Sequence, residues 1–446
     1  MAKRRRRTRR KPVPSEPVTV LIESLSHDGR GIAHVEGKTL FVDGALPGEE
    51  LECHYSFVGS RYSEAKASTV ITASADRVEP RCSKAQICGG CNMQHINPAR
   101  QVEIKQQALS EQYLHFGGIE SPPHVTPLLG ETWAYRRKAR LGVRYVPKKG
   151  GVLVGFREKR NSFITDIDNC PVLDVRVGEL ITPLRELLDT LEQKASIPQI
   201  EVSLGDNDGA LVFRHLEELG DEDKQALRDF GQANGLWVYL QPAGPASVHR
   251  ISPDEEDGFL SYKLPEWSLE LLFDPMDFTQ VNASINEAMV KRALEFLELE
   301  KNDRVLDLFC GLGNFTLPIA RHCSEVIGVE GSEAMVKRGN MNAAHNGIDN
   351  AHFFSADLTQ DFREQPWSQG GFDKVLLDPP RSGALEIVKN ISLLAPQRIV
   401  YVSCNPATLA RDAGELCRSG YTLLKTGVMD MFPHTAHVES IAVFEK

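Results

Sequence analysis

No apolar run in this 446-residue chain approaches the ~20 residues that a membrane helix needs, so a membrane-spanning class is not expected. The basic start is followed by PVPSEP instead of an apolar segment, which reads as no secretory signal and places the protein in the cytoplasm. Nine cysteines are an odd number, and without a secretion signal a disulfide framework is not expected. The G-x-G-x-x-G fingerprint of NAD enzymes is missing, because Asn314, Phe315 and Thr316 follow the glycine pair of the one strand–glycine–helix unit. The C-x3-C-x2-C spacing of radical enzymes is missing too. Acidic residues are absent from positions 1–11, which hold eight Lys or Arg; the rest carries 43 basic and 61 acidic residues, a net charge of −18. A short basic arm on an acidic body suits a polyanion.

What is present divides into blocks. Residues 1–12 are a basic arm expected to be disordered without a partner. Residues 13–73 show short alternating strands separated by Asp28-Gly29, Glu36-Gly37, Asp43-Gly44 and Pro47-Gly48, the pattern of a small OB-like β-barrel. Residues 74–275 are a central α+β block with a cysteine cluster, a helix expected over 98–116 that could pack on the last block, and the stretch Trp133–Arg160. That stretch holds ten Lys or Arg against one acid, with Tyr135, Tyr145 and Phe156 interleaved. Cations for phosphates and π-faces for unstacked bases suit RNA; a strand pair with a charged solvent face is the plainer alternative. Residues 276–446 alternate strands and helices, which predicts a doubly wound α/β domain.

In RVLDLFCGLGNF a strand carries Asp307 and runs into a turn at Gly311 and Gly313, where the missing side chains let a ligand approach. The next strand ends in Glu330, at the distance suited to ribose hydroxyls. This order resembles the S-adenosylmethionine loop of class I methyltransferases. Asp357 follows the third strand, near the expected adenine. The fourth strand ends in DPPRSG, whose prolines stiffen the turn behind Asp378. Arg381 stands where amine methyltransferases often carry an aromatic, which argues against an exocyclic amine as acceptor.

In YVSCNPATLARD, Cys404 falls at a strand's end before a helix N-terminus, a position expected to favour a thiolate. A nucleophilic cysteine beside a methyl donor solves one problem, methylation at carbon 5 of a pyrimidine. Thiolate addition to carbon 6 makes carbon 5 nucleophilic, and a base must then remove the carbon-5 proton. Glu439 is the candidate base, with His434 and His437 as rivals. DPPRSG, YVSCNPATLARD and MFPHTAHVES together resemble the RNA uracil-C5 methyltransferase family, which includes tRNA enzymes and bacterial 23S rRNA enzymes. The resemblance implies that Cys404 is the nucleophile and Glu439 the base. It further implies that Gln280, Phe309, Asn314, Glu330, Asp357 and Asp378 contact S-adenosylmethionine.

The run RCSKAQICGGCNMQH holds Cys82, Cys88 and Cys91, and DIDNCP holds Cys170 before a proline. Such a set can bind zinc or an iron–sulfur cluster, and spacing alone leaves both open. The family resemblance implies a [4Fe–4S] cluster on these four, as in the 23S rRNA enzymes. GRGIAHVEGKTLFVDGALPGEEL is similar to a TRAM domain. The expectation is therefore a monomeric enzyme that forms 5-methyluridine in 23S rRNA, naked or in a pre-ribosomal particle, at the position equivalent to 1939. An RNA cytosine-C5 methyltransferase is the nearest rival, but it would carry a second cysteine where Arg381 stands. A non-catalytic assembly factor is the other. Cys53, Cys310, Cys323 and Cys417 read as buried small residues.

Overall fold

The computed structural model describes residues 13–253 and 258–446, so the basic arm lies outside the described residues. The described residues fall into two compact units: residues 13–103 with 434–436, and residues 104–253 and 258–433 with 437–446.

The first unit contains β1 (Val18–Leu21), β2 (Ser24–Leu25), β3 (Gly31–Val35), β4 (Lys38–Asp43), β5 (Glu50–Val58) and β6 (Tyr62–Thr72), in the sheet order β1-β5-β6-β4-β3-β2. The alternating residues Val20, Ala33, Leu40, Val42, Leu51, Cys53 and Ala65 form its core, as a small strand-rich domain with one wet face requires. Glu49 is buried there and is held by Arg77 at 2.5 Å. Residues 74–97 follow as turns. Helix α1 (Pro98–Gln112) then continues through a π-helical turn, Tyr113–Gly117, close to the helix expected over 98–116.

In the second unit, β7 (Lys138–Val146), β8 (Gly151–Arg157) and β9 (Ile164–Asp166) are followed by α2 (Val175–Gly178), α3 (Ile181–Thr190), β10 (Gln199–Leu204), β11 (Gly209–Arg214), α4 (Asp221–Asn234), β12 (Trp237–Gln241) and β13 (His249–Ser252). These strands form one sheet ordered β13-β12-β11-β10-β7-β8-β9. A hairpin, β14 (Leu260–Leu264) and β15 (Leu269–Phe273), leads to α5 (Ala283–Leu297). The doubly wound part comprises β16 (Arg304–Leu308), α6 (Thr316–Ala320), β17 (Glu325–Glu330), α7 (Glu333–His345), β18 (Ala351–Ser355), β19 (Lys374–Leu377), α8 (Leu385–Lys389), β20 (Arg398–Ser403), α9 (Pro406–Arg418), β21 (Thr422–Met429) and β22 (Glu439–Glu445).

The last sheet runs β18-β17-β16-β19-β20-β22-β21, with β22 antiparallel to both neighbours. Its parallel strands are near-continuous apolar runs because helices cover both faces. The strand order reverses between β16 and β19, which opens a crevice at their carboxyl ends. Because β22 runs backwards, its first residue, Glu439, lies at that same edge. Leu109 of α1 and Tyr113 of the π-helical turn belong to the core of this sheet, so this part of the helix packs on it. A Tyr113 hydroxyl–Thr426 contact of 2.9 Å fixes it.

Candidate active site

The register builds the site. Leu308 pairs with Val329 and with Leu377, so Phe309, Glu330 and Asp378 leave three adjacent strands at one level. Ser403 pairs with Ser440, which brings the following Cys404 to the level of Glu439. Gln280 and Phe278 lie on the loop between β15 and α5; Gln280 is half-buried and Phe278 is 71% exposed.

The glycine turn is shaped for close approach. Phe309, Gly311 and Gly313 all have positive φ, at 66°, 56° and 99°. A Cβ on Gly313 would stand 3.1 Å from Leu317, so the turn is closed to larger residues on that side. The Gly311 N–H donates to Glu330 Oε2 at 3.2 Å, and the Ser332 N–H to Oε1 at 3.1 Å, which fixes the half-buried carboxylate at its strand's end. Asn314 is clamped from behind. Its Oδ1 accepts from the Tyr262 hydroxyl at 2.8 Å and from Asn286 Nδ2 at 3.0 Å, and its Nδ2 donates to Asn286 Oδ1 at 2.9 Å. Asp307 is wholly buried; one oxygen accepts from the Thr316 hydroxyl at 2.5 Å and the other has no hydrogen-bond partner among the described residues. Burial pushes its pKa up to about 8. Asp357 is exposed and bonded within its own turn, to the Thr359 N–H at 2.9 Å and the Thr359 hydroxyl at 2.6 Å, contacts that hold its carboxyl below the usual range.

The DPPRSG turn is braced by the helix that follows Cys404. Asn405 caps α9 by accepting from the Ala407 N–H at 3.1 Å, and its Nδ2 donates to the Arg381 carbonyl at 2.9 Å. Asp412, fully buried, accepts from the Ala384 N–H at 2.8 Å, the Tyr401 hydroxyl at 2.7 Å and Arg411 at 2.8 Å. Arg381 Nη2 lies 3.1 Å from His437 Nδ1.

Three proton-losing groups thus face one crevice. Burial raises Asp378 to about 7. Burial, and then Asp378, raise Glu439 to about 8, against the pull of Arg381 and Lys105. Burial, Glu439 and Asp378 raise Cys404 to about 11, against Arg381. The expected thiolate at a helix N-terminus is therefore corrected: desolvation and two carboxyls outweigh the helix, and Cys404 is a thiol until a base takes its proton. Of the rival bases, His434 belongs to the first unit, is 2% exposed and is bonded through Nδ1 and its backbone N–H to Gln101. His437 is exposed, and partial desolvation and then Arg381 hold its pKa down.

The basic stretch is only partly turned to solvent. Arg144, Lys148 and Lys149 are exposed, but Tyr135 is buried with its hydroxyl donating to the Pro433 carbonyl at 3.1 Å. Lys138 donates to the Pro275 carbonyl at 3.1 Å and to that of Asp277, so it props the loop that carries Gln280. Of the four cysteines read as plain core residues, Cys53 and Cys310 are buried and Cys323 and Cys417 only half-buried. Cys88 and Cys91 are buried and Cys82 half-buried, all as reduced thiols; the Gly90 N–H donates to Cys88 Sγ at 3.4 Å. Among the described residues no group of three or more His, Cys, Asp or Glu is gathered as a metal site.

Lys105, Tyr262 and Asn286 were not signalled by motifs. Lys105 alone had a readable trace, a lysine in the helical stripe Val102, Leu109, Tyr113, where a charge must have a buried partner.

Residues 134–446 match a family model described as tRNA (Uracil-5-)-methyltransferase, and residues 16–67 match the TRAM domain. A 23S rRNA (uracil(1939)-C(5))-methyltransferase of Alkalilimnicola ehrlichii is 55% identical over 98% of this chain and 98% of its own. That of Hahella chejuensis is 52% identical over 98% of this chain and 99% of its own. The crystal structure of Pyrococcus abyssi tRNA (uracil-54, C5)-methyltransferase in complex with S-adenosyl-L-homocysteine matches with a TM-score of 0.73 and 26% identity, covering 96% of this chain and all of that one.

Proposed function

Because the chain belongs to the tRNA (uracil-5-)-methyltransferase family, as an RNA uracil-C5 methyltransferase using S-adenosylmethionine, we propose that it methylates 23S rRNA at the uridine equivalent to 1939. The relatives named for that reaction match it nearly end to end, which supports the choice of RNA. The observation that carries the chemistry is the register that sets Cys404 against Glu439 beside Asp378, at the crevice where a doubly wound sheet takes its ligands.

In this reading Glu330 holds the donor's ribose hydroxyls, and Asp357 stands near the adenine. Phe309, Asn314, Gln280 and Asp378 line the rest of the donor site, with Asp378 also facing the base. The unpartnered oxygen of Asp307 leaves a hydrogen-bonding atom beside the glycine turn for a bound ligand. The uridine must leave its stack to reach the crevice. The half-exposed Cys404 thiol loses its proton to solvent and the thiolate adds to carbon 6; the electron pair of the C5–C6 double bond then takes the methyl group from the sulfonium, which leaves as the neutral thioether. Glu439 removes the carbon-5 proton, the double bond re-forms, and Cys404 leaves as thiolate.

Cys82, Cys88, Cys91 and Cys170 are assigned to a [4Fe–4S] cluster on the family resemblance of the two cysteine segments alone, since the described residues gather no metal-site group. When bound it supplies iron–thiolate bonds that order the cysteine loop, and no step of methyl transfer passes through it. Iron and acid-labile sulfide in anaerobically purified protein, both lost in Cys88→Ser, are the expected result; bound zinc would overturn the assignment.

The reaction is tested with 23S rRNA transcribed with 5-fluorouridine, mixed with protein and S-adenosylmethionine. Fluorine cannot leave as a proton does, so an adduct should survive denaturing electrophoresis with wild type and vanish in Cys404→Ala. Donor binding without any adduct would overturn the role of Cys404.

A further inference from the structure

The methyl-transfer steps leave one buried charge without a task. Lys105 of α1 is 1% exposed. Its Nζ donates to Asp430 Oδ1 at 2.6 Å and to the Phe432 carbonyl at 2.9 Å, and Asp430 is itself 4% exposed. Asp430 directly follows Met429, the residue of β21 that pairs with Glu439. The ammonium therefore closes the end of the strand against which Glu439 is laid.

The charges around both groups are few. Glu439 faces Asp378 and Cys404 as proton-losing groups, and Arg381 and Lys105 as cations; Lys105 faces Asp430, Glu439 and His437. Arg381 is exposed and engaged with His437, so water screens it. Lys105 is walled off from water, where a charge acts more strongly on its neighbours.

We propose that Lys105 is a positioning residue for Glu439: anchored by Asp430 and the Phe432 carbonyl, it fixes the strand end beside the carboxylate and supplies the buried positive charge that favours its ionised form. The inference rests on Glu439 being the base. In the step concerned the C5–H bond breaks, the proton passes to the Glu439 carboxylate, and the electron pair forms the C5–C6 double bond as Cys404 departs. Only the ionised carboxylate can do this. With Lys105 removed, the carboxyl faces Asp378 with Arg381 as its one cation, and the pH at which it ionises moves up.

The test follows decay of the covalent adduct in single turnovers of the full-length protein with 23S rRNA and S-adenosylmethionine, from neutral to alkaline pH. Lys105→Met is compared with Lys105→Arg and with Lys105→Met/Asp430→Leu, which removes both charges so that no buried carboxylate is stranded. The double variant should bind S-adenosylmethionine and form the adduct as wild type does. Its release limb should move up by about one pH unit, the effect of one nearby charge. Release at neutral pH is then about tenfold slower, with the wild-type rate regained at alkaline pH and the limb restored in Lys105→Arg. A variant that binds the donor but superposes on the wild-type profile would overturn the proposal. So would joint loss of donor binding and adduct formation in every Lys105 variant, which marks a fold role only. Glu439→Gln separates the premise: if it turns over without accumulating adduct, Glu439 is not the base, and the role of Lys105 falls with it.

Discussion

Burial raises Asp378 to about 7, and burial and then Asp378 raise Glu439 to about 8 across the crevice. As the proposed base, Glu439 is then mostly protonated at neutrality and half-ionised near pH 8, which suits a step that must wait until the methyl group has moved. The sign follows from the raised value: below about 8 the ionised fraction of Glu439 falls with falling pH, so adduct release should slow about tenfold per pH unit lost. Above that point release should level off. Glu439→Gln removes the base and leaves the amide's shape, so release should fall by about 10²–10⁴-fold and the adduct should persist with ordinary uridine RNA. Rapid-quench measurement of adduct against methylated product checks both. A flat release profile with unchanged Glu439→Gln kinetics would mean that another group takes the proton.

At the scale of elements, the active edge depends on braces between strands and the turns that leave them. Asp412 of α9 gathers Ala384, Tyr401 and Arg411, so one helix side chain holds the DPPRSG turn against the helix that begins beside Cys404. Asp412→Ala leaves the Arg411 charge and the Ala384 N–H without their acceptor. Because Arg411 is 37% exposed and keeps the Ser382 carbonyl, a stability loss of about 1–3 kcal/mol is expected, the cost of leaving buried hydrogen-bonding groups unpaired, measured by denaturant unfolding. Asp412→Asn keeps the acceptor oxygen and should recover part of the loss. Elements were the most legible feature of this chain. The alternation of strands and helices expected over residues 276–446 is observed, because strands buried on both faces, such as Arg304–Leu308, Lys374–Leu377 and Arg398–Ser403, leave an unbroken apolar signal. The site was legible where chemistry demands unusual residues in short spans, as at Cys404 and Asp378. It was not legible at Tyr262 and Asn286, ordinary polar residues that reach Asn314 only through folding. Nor did the composition of the basic stretch show that Tyr135 and Lys138 turn inward, since alternation on a strand reports two faces without saying which is wet.

At the scale of the whole chain, charge has to reconcile an acidic protein with a polyanionic partner. Residues 12–446 carry a net −18, a field that repels RNA at long range, whereas residues 1–11 carry eight cations and no acid. The exposed cations Arg144, Lys148 and Lys149 add a local basic site on the sheet that β7 and β8 share. Removing residues 1–11 should therefore weaken 23S rRNA binding while leaving affinity for S-adenosylmethionine and thermal stability unchanged. The salt dependence distinguishes an electrostatic arm from one that reads bases. Every phosphate that the arm no longer neutralises should flatten the plot of log affinity against log salt by about 0.7–0.9 in slope. The truncated protein should thus approach the wild-type affinity as salt rises, since the arm's contribution is the part that salt removes. A deficit that persists at high salt would assign base-specific contacts to the arm, and an unchanged slope would leave RNA binding to the folded units alone.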